Sequence, residues 1–137
     1  MSEIPPTQEW KLLKTEPGPD LTLFRARYDW MENPRNGEVV KATVLEAPDW
    51  VNVVALTPEG KLVVVRQYRF GLGKMTTEIP AGIVEKGEES QMAAARELVE
   101  ETGYTSTDWE YLGWSAPNPA FLENRCHHWL ARGAVQT

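Results

Sequence analysis

At 137 residues, with 42% apolar and 25% charged side chains, the chain is one domain's worth of sequence with enough apolar material for a core. A net charge of −6 argues against a duplex nucleic-acid binder, which carries a basic patch. No apolar run approaches the roughly 18 residues of a membrane span. Cys126 is the only cysteine, so no internal disulfide is available. A reducing, cytoplasmic compartment fits, packing is the expected role of that thiol, and no basic-then-apolar leader opens the chain.

In chain order, residues 1–8 read as a disordered lead and residues 9–14 as a short strand. The cluster Glu16–Pro17–Gly18–Pro19–Asp20 reads as a turn. Residues 21–31 alternate as a strand, residues 33–37 form the next turn, and Val39–Glu46 is a third strand. These segments suit a small antiparallel sheet that cannot bury itself alone and must pack on the rest or on a second copy. Residues 1–48 are therefore expected to be an N-terminal β subdomain and 49–137 the core. From residue 51 to 56 the chain is β-branched. A turn at 57–60 leads to residues 61–69, with 62–65 reading as a doubly buried strand and the pair as a hairpin. Residues 75–79 are extended, Ser90–Thr102 is a helix, and residues 108–115 and 126–131 are further strands. The class is α+β.

The helix carries the chemistry. At about 100° per residue, Glu97, Glu100 and Glu101 fall within an arc of about 100°. Ala95, Leu98, Val99 and Thr102, with Met92 beside them, take the other side and are expected to bury. Ser90 suits the N-cap and Gly103 a left-handed stop. A row of glutamates is ordinarily a solvated surface. Here a loop with Gly82 and Gly87 runs directly into the helix, and like charges at this spacing repel. A bound divalent cation would offset that. Magnesium, with manganese as the alternative, is held by one or two carboxylates, waters and substrate phosphate oxygens. The reaction class that follows is attack of water on a diphosphate.

Gly82, Glu88, Arg96, Glu97, Leu98, Glu100, Glu101 and Gly103 match in register the signature box of the Nudix family, which the segment closely resembles. Tyr104 replaces the final aliphatic residue. The resemblance implies an α/β/α sandwich with a mixed sheet. It implies metal ligation by Glu97, Glu100, Glu101 and the carbonyl of Ala81, with Glu100, Glu101 and Arg96 serving catalysis. Arg96 would hold Glu100 or another box glutamate in place, and Glu88 would orient the loop. The flanks, Val63–Gly71 and Glu78–Gly82 with Pro119 beyond the box, are similar to the ADP-ribose and nucleotide-sugar pyrophosphatase branch. That likeness implies a small nucleoside-diphosphate substrate, contacts from Arg69, Arg66 and Glu78, and a homodimer formed through the N-terminal sheet. Tyr28 and Trp30 would stack on the base, although aromatic residues in a strand more often pack, and Glu78 is also a natural partner for Arg69. The C-terminal part looks shortened relative to that branch, leaving Glu123 as a stand-in general base. His127 and His128 lack zinc spacing; one reads as buried and one as surface. Hydrolysis of another nucleotide-sugar such as GDP-mannose, or nucleotide sensing without cleavage, stays open.

Overall fold

Turn chemistry and strand alternation divide the chain into two units of the computed structural model, which describes residues 9–137. The lead expected over residues 1–8 lies outside them. One unit holds residues up to Ala47 together with Asn118–Glu123. Its strands β1 (Lys11–Asp20), β2 (Arg25–Glu32) and β3 (Val39–Glu46) form an antiparallel sheet in the order β1-β2-β3. The cluster read as a turn at 16–20 is instead the end of β1, with a register shift between Pro17 and Asp20. Both prolines sit on an edge strand, where the missing N–H costs no ladder bond. The chain reverses after it, where Asp20 accepts the Thr22 N–H. Asn33 caps the second reversal by accepting from Arg35, and Gly37 closes it at φ 73°. Only Ala26 and Asp29 are buried among the residues of these three strands, whereas Leu12, Leu13, Val39 and Val40 are exposed. The sheet is thus one layer without a core of its own.

The second unit holds Pro48–Pro117 and Asn124–Thr137. Its centre is a mixed sheet of β4 (Trp50–Ala55), β7 (Ala81–Ile83), β9 (Asp108–Ser115) and β10 (Cys126–Arg132), ordered β7-β4-β10-β9. The β4–β10 pair is parallel and the others antiparallel. Alternate residues Val51, Val53 and Ala55 of β4 are fully buried, and with Ala131, Ala134 and Val63 they meet Ala93, Ala94 and Leu98 of helix α1 (Ser90–Thr102). Small alanines let the helix lie close to the sheet. Strands β5 (Val65–Arg69) and β6 (Lys74–Glu78) form a separate hairpin, and β8 (Tyr104–Thr105) pairs with β11 (Val135–Gln136).

Three sequence expectations change here. The stretch 62–65 is not doubly buried: only Val63 enters the core, while Leu62 and Val64 are 47% and 46% exposed. The chain meets β4 there only through Leu56–Leu62 and Val63–Ala55, and β5 takes β6 as its ladder partner. Ser90 is the first helical residue and Glu89 the N-cap, without a side-chain cap bond; the Ser90 hydroxyl accepts from Trp129 Nε1 instead. The helix is also rotated from its expected setting. Met92 and Val99 are exposed, whereas the buried stripe is Ala93, Ala94 and Leu98. On the helical wheel Glu97 and Glu101 fall inside that stripe rather than opposite it. Gly103 ends the helix as expected, at φ 75°, with its N–H on Val99 O. Among the described residues α1 is the one helix, so one helical layer lies on the sheet, and no helix is long and apolar enough to cross a membrane.

Candidate metal and diphosphate site

The rotation of α1 aims Glu97 at β7. A Cβ built on Gly82 would fall onto the Glu97 carboxylate. Gly82 is not in the left-handed region, so the residue is glycine for space and not for backbone freedom. The Glu97 side chain is 14% exposed. Its charge is met by Arg96, whose Nη1 lies 2.9 Å from Glu97 Oε1 and 3.3 Å from Glu100 Oε2. The same guanidinium grips Glu88 with two bonds of 2.9 Å and donates to the Ile83 carbonyl at 3.0 Å. Glu88 in turn accepts the Glu85 N–H. The Glu88 hydrogen bonds push the Arg96 guanidinium well above its ordinary value, and they hold the Glu88 carboxyl below the usual range. Arg96 therefore ties the loop, β7 and the helix together around Glu97. The pair with Glu100 four residues on is one contact within this wider tie.

Glu101 sits one turn further on, next to Glu97. Burial raises its carboxyl, and Glu97, as a charge and as a hydrogen-bond partner, raises it further, while the Ala81 backbone and Arg69 act in the opposite sense. A carboxylate pair crowded in this way is stabilised by a shared cation or proton. The ladder explains why Ala81 faces it. Val53 N–H bonds to Pro80 O and Val84 N–H to Asp49 O, so the Asn52–Ala81 pair is a non-hydrogen-bonded one. On this edge strand the Ala81 peptide groups turn away from β4. Glu100 is 58% exposed and leans on Arg96.

Among the described residues no three of His, Cys, Asp and Glu converge as a ready-made cage. The Glu97–Glu101 pair, with an outward carbonyl beside it, fits magnesium, which takes few protein ligands and leaves positions for water and phosphate.

Arg69 and Glu78 face the same region from the β5–β6 hairpin. Arg69 Nε and Nη2 meet the two Glu78 oxygens at 2.7 and 2.8 Å. The Glu78 bonds raise the guanidinium, and the Glu101 charge adds to that. Arg66 pairs across the hairpin with Thr77 and so lies on the opposite strand face from Arg69. Tyr28 and Trp30 lie in the other unit, half-buried, with Lys41 Nζ 4.4 and 5.5 Å from their ring centres and Lys14 Nζ 4.8 Å from that of Trp30. Glu123, in that same unit, is ion-paired to Arg27, which also binds Asp29.

Sequence reading missed the hydrogen bonding of both histidines. His127 lies between Asp49 (3.0 Å) and Tyr111 (2.8 Å), and His128 between Asn52 (2.6 Å) and Ser115 (2.8 Å). Each links β10 to its neighbours on both sides, and only the β4-β10-β9 order brings those partners together. Cys126 is a half-buried free thiol that burial pushes up. Thr76, beside Glu78, was also missed. Recognising residues 65–69 and 74–78 as two arms of one hairpin would have put Gln67, Arg69, Thr76 and Glu78 on one face.

The Arg69–Glu78 pair has a testable pH signature. Its hydrogen bonds hold Glu78 at about 2 against an ordinary 4.5. A depressed carboxyl stabilises the fold above about pH 4.5, and that contribution fades as pH falls toward about 2. The pair is half-exposed, so the effect is under about 1 kcal/mol. Urea unfolding of the native chain and a Glu78→Gln variant should differ most at pH 7, draw together below about pH 4.5 and meet only as pH approaches about 2; a constant gap would contradict the assignment.

The NUDIX domain family model matches residues 47–136. The chain is 41% identical over 125 residues to the "Methanol dehydrogenase activator" of Bacillus methanolicus, covering 91% of this chain and 67% of that protein. It is 42% identical over 96 residues to an "ADP-ribose pyrophosphatase" of Bacillus subtilis (strain 168), covering 70% of this chain and 52% of that one. The chain thus spans from about half to about two thirds of the length of these relatives. A solved structure described as an ADP compounds hydrolase superposes with a TM-score of 0.83 at 23% identity, over 94% of this chain and 70% of that one, which shows the fold. With the glycine, the arginine and the glutamates of the box gathered where β7 meets α1, the chain belongs to the Nudix family.

Proposed function

We propose that the protein hydrolyses the diphosphate bond of a nucleoside diphosphate linked to a sugar in a magnesium-dependent reaction, with ADP-ribose the favoured substrate and AMP and ribose 5-phosphate the products. The observation that carries this reading is the crowded Glu97–Glu101 carboxylate pair, with Glu97 lying against Gly82 of β7. A bound divalent cation supplies phosphoryl polarisation and an activated water. Glu97 and Glu101, with the Ala81 carbonyl, would hold it; Glu100 would be a further ligand on release from Arg96. Arg96 and Glu88 fix the loop and helix, and Arg69 offers hydrogen bonds to the diphosphate. Tyr28 and Trp30 would contact the base, while Glu78 would act through Arg69; Arg66, on the opposite strand face, has no contact in this reading. Glu123 is engaged by Arg27, so the reading assigns no general base. Relatives named ADP-ribose pyrophosphatase and ADP-sugar pyrophosphatase support the substrate class. A cytoplasmic homodimer, closed through the exposed apolar faces of β1 to β3, completes the reading.

Incubation with ADP-ribose, ADP-glucose and GDP-mannose, with and without Mg²⁺ or Mn²⁺, followed by monophosphate release, tests it. Metal-dependent release from ADP-ribose above the others is expected. Preferred release from GDP-mannose would shift the substrate, and binding without release would indicate a sensor. A second reading, action on an alcohol dehydrogenase, is favoured by the relative named methanol dehydrogenase activator. Addition of the protein to methanol dehydrogenase would then raise its rate.

A further inference from the structure

The two arms of the β5–β6 hairpin put Gln67, Arg69, Thr76 and Glu78 on one face, since Gln67 pairs with Thr76, Arg69 with Lys74 and Val65 with Glu78. Glu78 spends both oxygens on Arg69 and occupies one edge of the guanidinium, Nε and Nη2. Arginine carries five N–H donors in a planar fork. The end formed by Nη1 and the second Nη2 proton is left for an incoming anion, with the Glu101 carboxylate the negative charge felt from across the site. How that free end points depends on the Glu78 rotamer. Thr76 controls it: Thr76 Oγ1 lies 2.5 Å from Glu78 Oε2 and 3.2 Å from the Gln67 carbonyl. A hydroxyl has one proton, and the shorter contact takes it.

We infer that Thr76 is a positioning residue: its hydroxyl locks Glu78, and Glu78 presents the free end of Arg69 to one phosphate of the diphosphate. The inference rests on the hydrolase reading above. It also makes Glu78 a poor base, because three donors, Arg69 Nε, Arg69 Nη2 and Thr76 Oγ1, already engage its carboxylate. Arg69 then binds phosphate end-on rather than through its Nε edge. Such a contact is made equally in the bound substrate and in the transition state, so its loss appears in KM rather than kcat.

Thr76→Val keeps the shape and deletes the hydroxyl, and Thr76→Ser keeps the hydroxyl. With Mg²⁺ and ADP-ribose, Thr76→Val is expected to raise KM about fivefold, the worth of one ordinary hydrogen bond, with kcat within about twofold. It should weaken calorimetric binding of inorganic pyrophosphate by the same factor. Thr76→Ser should return both values to within about twofold of the native chain. A purely structural hydroxyl would instead lower the midpoint and leave KM and pyrophosphate affinity unchanged, which would overturn the inference. If the native chain cleaves the substrate and Thr76→Val binds and cleaves identically, the inference alone is wrong. If the native chain neither cleaves any of the three nucleotide-sugars nor binds pyrophosphate, the hydrolase reading fails and this inference falls with it.

Discussion

Replacing Glu101 with glutamine should lower metal-dependent monophosphate release at least about a hundredfold while leaving the metal-free protein as stable as before or more so. The two halves of that result have one cause. Glu101 and Glu97 are crowded carboxylates, and burial together with Glu97 raises the Glu101 carboxyl. A raised carboxyl means that the folded protein binds more protons than the unfolded chain, so without metal this group costs stability as pH rises through the carboxylate range. A neutral amide of the same shape removes the repulsion. It also removes an anionic ligand from a site held by few carboxylates, and Glu100, the remaining one, is tied to Arg96. Magnesium should therefore raise the thermal midpoint of the native chain by mass action and leave the variant unmoved. Unchanged turnover in Glu101→Gln would sink the ligand assignment.

The second large effect is expected from a single methyl group. In Gly82→Ala the new Cβ lands on the Glu97 carboxylate, which is hemmed in by Arg96 and only 14% exposed. Either β7 shifts outward or Glu97 swings away. Overpacking of this kind costs about 1–3 kcal/mol, and a displacement of about 1 Å at a reacting centre costs about a hundredfold in rate. Gly71→Ala is the control, since a Cβ at Gly71 meets nothing within 4 Å and its φ is not positive. Chemical denaturation should show the Gly82→Ala penalty shrinking when Glu97 is also alanine, because the clash partner is gone. Equal tolerance of alanine at both glycines would contradict the close approach.

The box was legible because its information is local. Glycine, the arginine and the glutamates stand at fixed spacings on one loop and one helix, and the geometry of a helix converts that spacing into proximity. The left-handed stop at Gly103, the Asn33–Gly37 turn and most strands of the mixed sheet were legible for the same reason. The helix setting was not. Its wheel offers two candidate buried stripes: one through Leu98, Val99 and Met92, the other through Ala93, Ala94 and Leu98. Hydrophobicity favours the larger side chains, but the sheet accepts the alanines, whose small size allows a close approach, and that setting brings Glu97 to Gly82. The turn expected at 16–20 failed through composition: Pro and Gly marked a reversal, whereas an edge strand tolerates both.

Pairings between segments far apart in sequence were the least legible. Arg69 could have met solvent, substrate or Glu78, and the choice follows from β5 pairing with β6 rather than with β4. Glu123 could have been free, and it meets Arg27 only because residues 118–123 lie alongside β3. The order of residues by itself determined the acidic helix, the glycine-bearing loop ahead of it and the family to which they belong, because those depend on neighbours within two or three turns. Tertiary structure alone decided which way the helix faces, which acids touch and which arginine end stays open, because those are set by packing and strand pairing between segments that no local pattern links.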